Sequence, residues 1–408
     1  MAIVLSLTGD QTLYSTLATQ TGVVGISVAS VGIMLAVNRL VRIPGNPIGG
    51  LVVDRYGRRR PFVVGMFLGT LSTLAYTVVS GFWPLLLTRA LWGLSWILIN
   101  ISGLTMILDV TTPENRGRVN GLYQFAFLLG LSISAMTGGF LVDALGFRLA
   151  LTLCAAATGA GFLIAFLALP ETAPARARAR HSGSSPKINL LRAMPQFARR
   201  IWAGWRGLDS RVYAVTAMYS VARFAGNGVI MSTMSLLLHA RFGESVRVFG
   251  ATLGVPSVAG ILVGLGPLLG MLAGPIAGHI SDSPRGRWRV IGTGFACGIV
   301  GFALLSVDYG LWLILAGRLI ASLADGILGP TMVAQAGDLT PRGRQGTVMG
   351  LYTAGGDVGG TLGPILAYSL AEAIDLAWVY ALCGVLYAGA LLLTLRVGRA
   401  SSGDKPIA

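Results

Sequence analysis

Eight charged side chains stand inside long apolar runs of this 408-residue chain: Asp10, Arg39, Arg42, Arg89, Arg223, Arg318, Asp325 and Asp357. A charge in such surroundings is costly unless a partner, water or a ligand meets it, so each marks a candidate working residue. A lone carboxyl such as Asp10 can take up and release a proton, because burial favours its neutral form and a nearby cation its ionised form. Arg39 and Arg42, three residues apart in AVNRLVRIPGNP, fall on one helix face. With Asn38, Asn46, Asn100, Arg223 and Asn227 they make a polar, cation-rich set that suits an anionic or polar small molecule, drawn by coulombic attraction in a medium of low dielectric. Arg42 has a second reading, as a cap on the loop that follows it. Asp325 in IASLADGILGP and Asp357 in TAGGDVGGTLGP offer carboxylates for a cation, for a second proton, or for pairing with Arg318 or Arg223.

Composition says what kind of element must hold these residues. The chain is 54% hydrophobic and 12% charged, with mean hydropathy +0.71; a soluble domain carries about 25% charged residues. Apolar runs long enough to cross a bilayer, about 17 to 25 residues each, recur from end to end. Division at charges, turns and polar clusters gives twelve spans, centred near residues 10, 37, 71, 96, 129, 158, 225, 264, 298, 323, 357 and 386. The expectation is an all-α membrane protein. Asp10 lies about nine residues, or roughly 13 Å, from the outer end of the first span, near mid-membrane.

Orientation follows from the basic residues. Of the 31 lysines and arginines, five are inside spans, Arg148, Arg241 and Arg247 fall on one side, and the rest sit in loops on the amino-terminal side. The positive-inside rule puts both termini in the cytoplasm, in a bacterial-type inner membrane. The net charge of +15 is then topogenic and lipid-facing, and no nucleic-acid partner is expected. Cys154, Cys297 and Cys383 lie far apart in apolar runs, and His181, His239 and His279 lack ligand spacing, so neither metal nor cofactor is expected. Enzymatic readings fare badly: no Walker A sequence occurs, and GDVGGTLG lies inside an apolar span.

The longest loop, residues 171–209, begins as a flexible basic linker, ARARARHSGSSPK. It continues as INLLRAMPQFARRIWAGWRG, either a membrane-surface helix or a disordered link. It separates residues 1–170 from 210–396, with 397–408 as a tail. The two long parts repeat one another. Asp54 to Asp282, Arg89 to Arg318 and Asp109 to Asp338 are 228, 229 and 229 residues apart, each within a matching motif. Two six-span halves that start on the same side imply parallel repeats with a binding site between them at mid-membrane.

The stretch GLVVDRYGRRR from Gly50, between spans 2 and 3, resembles the signature loop of the major facilitator superfamily, and its second copy at Gly278 to Arg289 keeps Asp282. The resemblance covers the whole chain and implies a secondary transporter of small solutes, working as a monomer among membrane lipids. It implies that Gly50, Asp54, Arg55, Gly57, Arg58 and Asp282 form a cytoplasmic latch between the halves. Gly50 would permit close packing, and the arginines would bridge to acids and carbonyl ends. LTRALWG, with Arg89, resembles the arginine motif of proton-coupled members; carried over, Asp10 binds the coupled proton and Arg89 governs when. The alternative is a permanent ion pair that fixes helix register. Span 5, GLSISAMTGGFLVDALG, keeps the paired glycines Gly138 and Gly139 of drug/proton antiporters but has Ser134 and Ala135 where those have Gly-Pro. Export and uptake both stay open, as does a reading of another class, a transporter-like receptor or scaffold.

Overall fold

Lipid offers backbone amides no hydrogen-bond partner, so a chain of this composition satisfies them within helices. The structure, a computed structural model, describes residues 1–112, 115–172, 205–281, 284–307, 310–340 and 344–403. Helix α1 is made of Ala2–Ser6 and Thr8–Thr16; α2 is Val28–Tyr56, α3 Arg59–Ala75, α4 Phe82–Val110, α5 Arg116–Leu145 and α6 Phe147–Ala168. Then come α7 Ser210–Phe242, α8 Val255–Ile280, α9 Pro284–Leu305, α10 Gly310–Asp338, α11 Gln345–Ala371 and α12 Leu376–Gly403. Each matches one expected span. Among the described residues nine helices are by themselves long and apolar enough to cross a bilayer. The others are α1, interrupted at Leu7, α3, with 17 residues, and the glycine-rich α11.

The structure corrects the all-α expectation at one place. Strands β1 (Ser245–Val248) and β2 (Ala251–Gly254) pair antiparallel between α7 and α8. Phe249 and Gly250 both take positive φ, 49° and 85°, as a two-residue hairpin turn of right twist demands. The signal was the alternation of Val246 and Val248 before a glycine, too short to compete with the helical runs around it. The segment read as a surface helix within 171–209 lies outside the described residues except for its last three, 205–207, and Asp282 lies outside them too. The last helix runs on to Gly403, past the boundary at 396.

Each six-helix half has its own core. Phe62, Met66, Trp92 and Ile99 are buried in the first, and Phe295, Phe302 and Tyr387 in the second. The halves meet where α5 lies along α8 and α2 along α11. These seams are built on absent side chains: a Cβ at Gly139 would overlap the Pro256 carbonyl oxygen, and one at Gly32 would strike that of Pro364. Close backbone approach of this kind is how helices associate where hydrophobic burial gives no drive. Prolines inside α2, α8, α10 and α11 remove helical N–H donors and leave carbonyls free for side chains.

Candidate functional site

A cavity of about 680 Å³ lies between the halves, within the range of small-molecule sites. Its walls include Asp10, Asn38, Arg39, Arg42, Asn100, Arg223, Asn227, Arg318 and Asp325. It reaches down to Tyr123 on α5 and Thr353 on α11, about two turns from the starts of those helices, on the amino-terminal side of the bundle. Asn46, expected with the arginines, is not part of the wall. Aromatic rings line part of one wall: Trp92 stacks on Trp96 at 6.4 Å, and Trp96 meets Phe127 at 5.8 Å.

Asp10 and Arg89 are brought together as a pair. Arg89 Nη1 donates to Asp10 Oδ1 at 2.6 Å, and Asn38 Nδ2 to the same oxygen at 3.4 Å. Arg89 is fully buried behind the acid, its Nε bound to the Met34 carbonyl at 2.9 Å and its guanidinium over the Tyr14 ring. Of this pair, Asp10 faces the cavity. Beside it, Gln11 Oε1 and Asn38 Oδ1 are buried acceptors without a partner among the described residues.

The second half repeats the anchor and changes the acid. Arg318 Nε donates to the Leu262 carbonyl at 2.9 Å, 229 and 228 residues beyond Arg89 and Met34. Its Nη2 approaches the Val263 carbonyl at 3.4 Å, which Pro267 leaves without a helical donor. No carboxylate meets Arg318 within ion-pair range among the described residues; Asp325 instead accepts from Tyr387 Oη at 3.5 Å. Room for Asp325 comes from Gly226, where a Cβ would overlap its carboxylate. That glycine lies in a π-helical segment, Phe224–Ile230, of the kind that recurs at functional sites.

Arg42 and Asp357 approach to 3.8 Å across the seam, so Asp357 pairs with Arg42 rather than with Arg318 or Arg223. Arg39 also crosses it: its Nη1 donates to the Gly360 carbonyl at 2.7 Å, the one that Pro364 cannot serve. At the opposite end Ser257 N–H, in the first turn of α8, donates to Asp143 Oδ2 on α5 at 2.9 Å. Asp143 thus caps a helix of the other half, where the helix end is electropositive. Sequence reading missed it, because an acid at the end of a span looks like any loop residue.

The glycine- and arginine-rich loop is tied into the first half. Arg58 Nε donates to Asp109 Oδ2 at 2.8 Å, and the Arg58 and Arg59 N–H groups donate to Glu171 at 3.0 and 3.3 Å. Gly57 has φ 83° and its missing Cβ makes way for the Glu171 carboxylate. Asp54 is largely exposed and 3.9 Å from Arg58, while Arg55 lies over Tyr56. Among the described residues the packing role expected of Gly50 belongs to Gly49: a Cβ at Gly50 meets nothing, whereas one at Gly49 would overlap Ile97. One residue along a helix turns the face by about 100°. Arg58→Gln is expected to cost about 1–3 kcal/mol for the lost half-buried charged bond, lowering the melting temperature by several degrees, and Arg55→Gln to leave it unchanged. Thermal unfolding of the two variants in one detergent checks this; equal effects would remove Arg58 from its structural role.

The comparisons agree with this architecture. A family model described as Major Facilitator Superfamily matches residues 1–310 and 256–407. The probable actinorhodin transporter of Streptomyces coelicolor is 26% identical over 338 residues, 80% of this chain and 57% of its own length. The class C tetracycline resistance protein of Escherichia coli is 25% identical over 351 residues, 85% and 81% of the two chains. Among solved structures, a bacterial homologue of the human lysosomal transporter Spinster, inward-facing and occupied, superposes with TM-score 0.75 at 15% identity, covering 99% of this chain and 97% of that one. The human organic anion transporter MFSD10 gives 0.68 at 20%, covering 96% and 97%. A family model that runs along nearly the whole sequence, over a fold of two six-helix halves closed on a central cavity, leaves one conclusion: the chain belongs to the Major Facilitator Superfamily and is a membrane transporter of small solutes, not an enzyme.

Proposed function

We propose that this transporter exchanges protons for its solute and exports the solute from the cell. The observation that supports this most is the placement of Asp10, whose residue faces the cavity while its counter-ion is sealed behind it. Only the acid can exchange protons with whichever side the cavity faces. Asn100, Asn227 and Asp325 share that cavity and are proposed to contact the solute, with Asp357 acting through Arg42. Export is favoured by relatives named for resistance to tetracycline or to several drugs, since removal of a toxic solute is one route to resistance. The basic loops put both termini in the cytoplasm of an inner-membrane protein, so the cavity here faces inward. When the cytoplasmic ends close, the loop with Asp54, Arg55 and Arg58 meets the second half, with Asp282 in the matching loop.

The test is substrate-driven proton movement. Proteoliposomes that hold a pH-sensitive dye and an inward-acid gradient are expected to alkalinise inside when a transported solute is added outside, as solute enters and protons leave. Solute movement without a change in dye signal would make the protein a facilitator.

A further inference from the structure

The acids around the cavity are largely committed. Asp10 is held by Arg89 and Asp357 lies near Arg42, while Asp325 rests against Tyr387. Arg39 and Arg223 are different: among the described residues neither has a carboxylate within ion-pair distance. Each is held through one nitrogen to a neutral oxygen, Arg39 Nη1 to the Gly360 carbonyl at 2.7 Å and Arg223 Nη1 to Asn227 Oδ1 at 2.6 Å. Each lies over a tyrosine, Arg39 at 5.6 Å from the Tyr14 centroid and Arg223 at 6.0 Å from that of Tyr219. Tyr219 is itself stacked on Tyr352 at 4.0 Å. The tethers and rings fix both guanidinium groups, and both residues line the cavity. They come from opposite halves, α2 and α7, and Arg42, in electrostatic reach of both, has a buried Nε without a partner among the described residues.

We infer that the transported solute is an aromatic organic anion whose acidic group bridges Arg39 and Arg223, with its ring against the wall made by Trp96 and Phe127. Two fixed guanidinium groups with no carboxylate in contact, Asp325 facing Arg223 only at longer range, attract an anion and repel a cation in a low-dielectric cavity, and the planar fork of each suits a carboxylate or sulfonate. Trp96 and Phe127, which both line the cavity, offer apolar ring surface. An anion between them also cancels the repulsion of two cations carried by opposite halves, so that the occupied cavity closes at lower cost than the empty one. This rests on the transporter reading above and adds the chemical class of its cargo.

Three probes with one ring system separate the charges: naphthoate, naphthalenemethanol and naphthylmethylammonium, with binding to the purified full chain in nanodiscs read from tryptophan fluorescence. Naphthoate is expected to bind about tenfold or more tighter than the alcohol, and the ammonium no better than the alcohol. Arg39→Gln and Arg223→Gln should each weaken naphthoate by about tenfold to a hundredfold and change the alcohol little; Lys at either position should recover part of the loss. Should the Gln variants fail to fold, the wild-type ranking and the Lys variants decide. Tightest binding of the ammonium, equal binding of acid and alcohol, no naphthoate binding at millimolar concentration, or equal loss of both probes in the Gln variants each overturns the inference. In proteoliposomes the two readings part: a cationic probe that moves with proton exchange sinks the anion class alone, and naphthoate that binds but moves no protons sinks the proton-coupled reading alone.

Discussion

In vesicles energised by a pH gradient, Asp10→Asn is expected to lose gradient-driven accumulation down to background while it still binds solute and exchanges labelled for unlabelled solute. The amide keeps the shape of the acid and one oxygen for Arg89, but has no proton that it can give up by ionising. The cost falls on Arg89, fully buried and left without its counter-ion. Removing one partner of a buried ion pair costs about 3–5 kcal/mol, which the retained amide oxygen, the Met34 carbonyl and the Tyr14 ring offset in part. Counterflow in the absence of any gradient separates lost coupling from lost fold. Accumulation that persists in Asp10→Asn would move the proton elsewhere, with Asp325 next in line.

Gly139→Val is expected to have a comparable effect by another route. A side chain there collides with the backbone of α8 at Pro256, which cannot swing aside as a flexible side chain would, so the outer seam must part. Overpacking of about 1–3 kcal/mol shifts a two-state equilibrium by roughly five- to a hundredfold or more, here toward the state open to the outside. In a background with the native cysteines replaced, Ala135→Cys on the same seam should become reactive to an impermeant maleimide from outside, and transport should fall. Gly138→Ala serves as the contrast. Its Cβ meets Thr12, within the first half, so it should lower thermal stability and leave the labelling pattern unchanged. Labelling that is identical in Gly139→Val and wild type would mean that the seam is not the outer gate.

The pairing of Asp10 with Arg89 was legible because unpartnered charges in lipid are too costly to be accidental, and the loop cluster because charge and glycine concentrate there. The two halves were legible as a fixed offset. What stayed hidden depends on tertiary contact. Arg39 bonds the Gly360 carbonyl because Pro364, four residues on, has no N–H, and the two belong to a helix far from Arg39 in sequence. The π-helical turn at Gly226 adds no letter that distinguishes it from an α-helix, and Asp143 acquires its role only when α8 begins beside it. The shift from Gly50 to Gly49 reflects which side of α2 meets α4, a rotation that a glycine-rich stretch does not reveal.

The paired arginine anchors set a division of labour between the halves. Arg89 on the Met34 carbonyl and Arg318 on the Leu262 carbonyl make the same bond in two parts of the chain that repeat one another. A carboxylate answers Arg89 alone, so the first half meets the cavity with a charge-balanced pair. The second half meets it with an arginine that, among the described residues, has no carboxylate in contact. A fold of near-equal halves thus encloses a site whose two walls differ in charge, and a solute in it is held in one orientation.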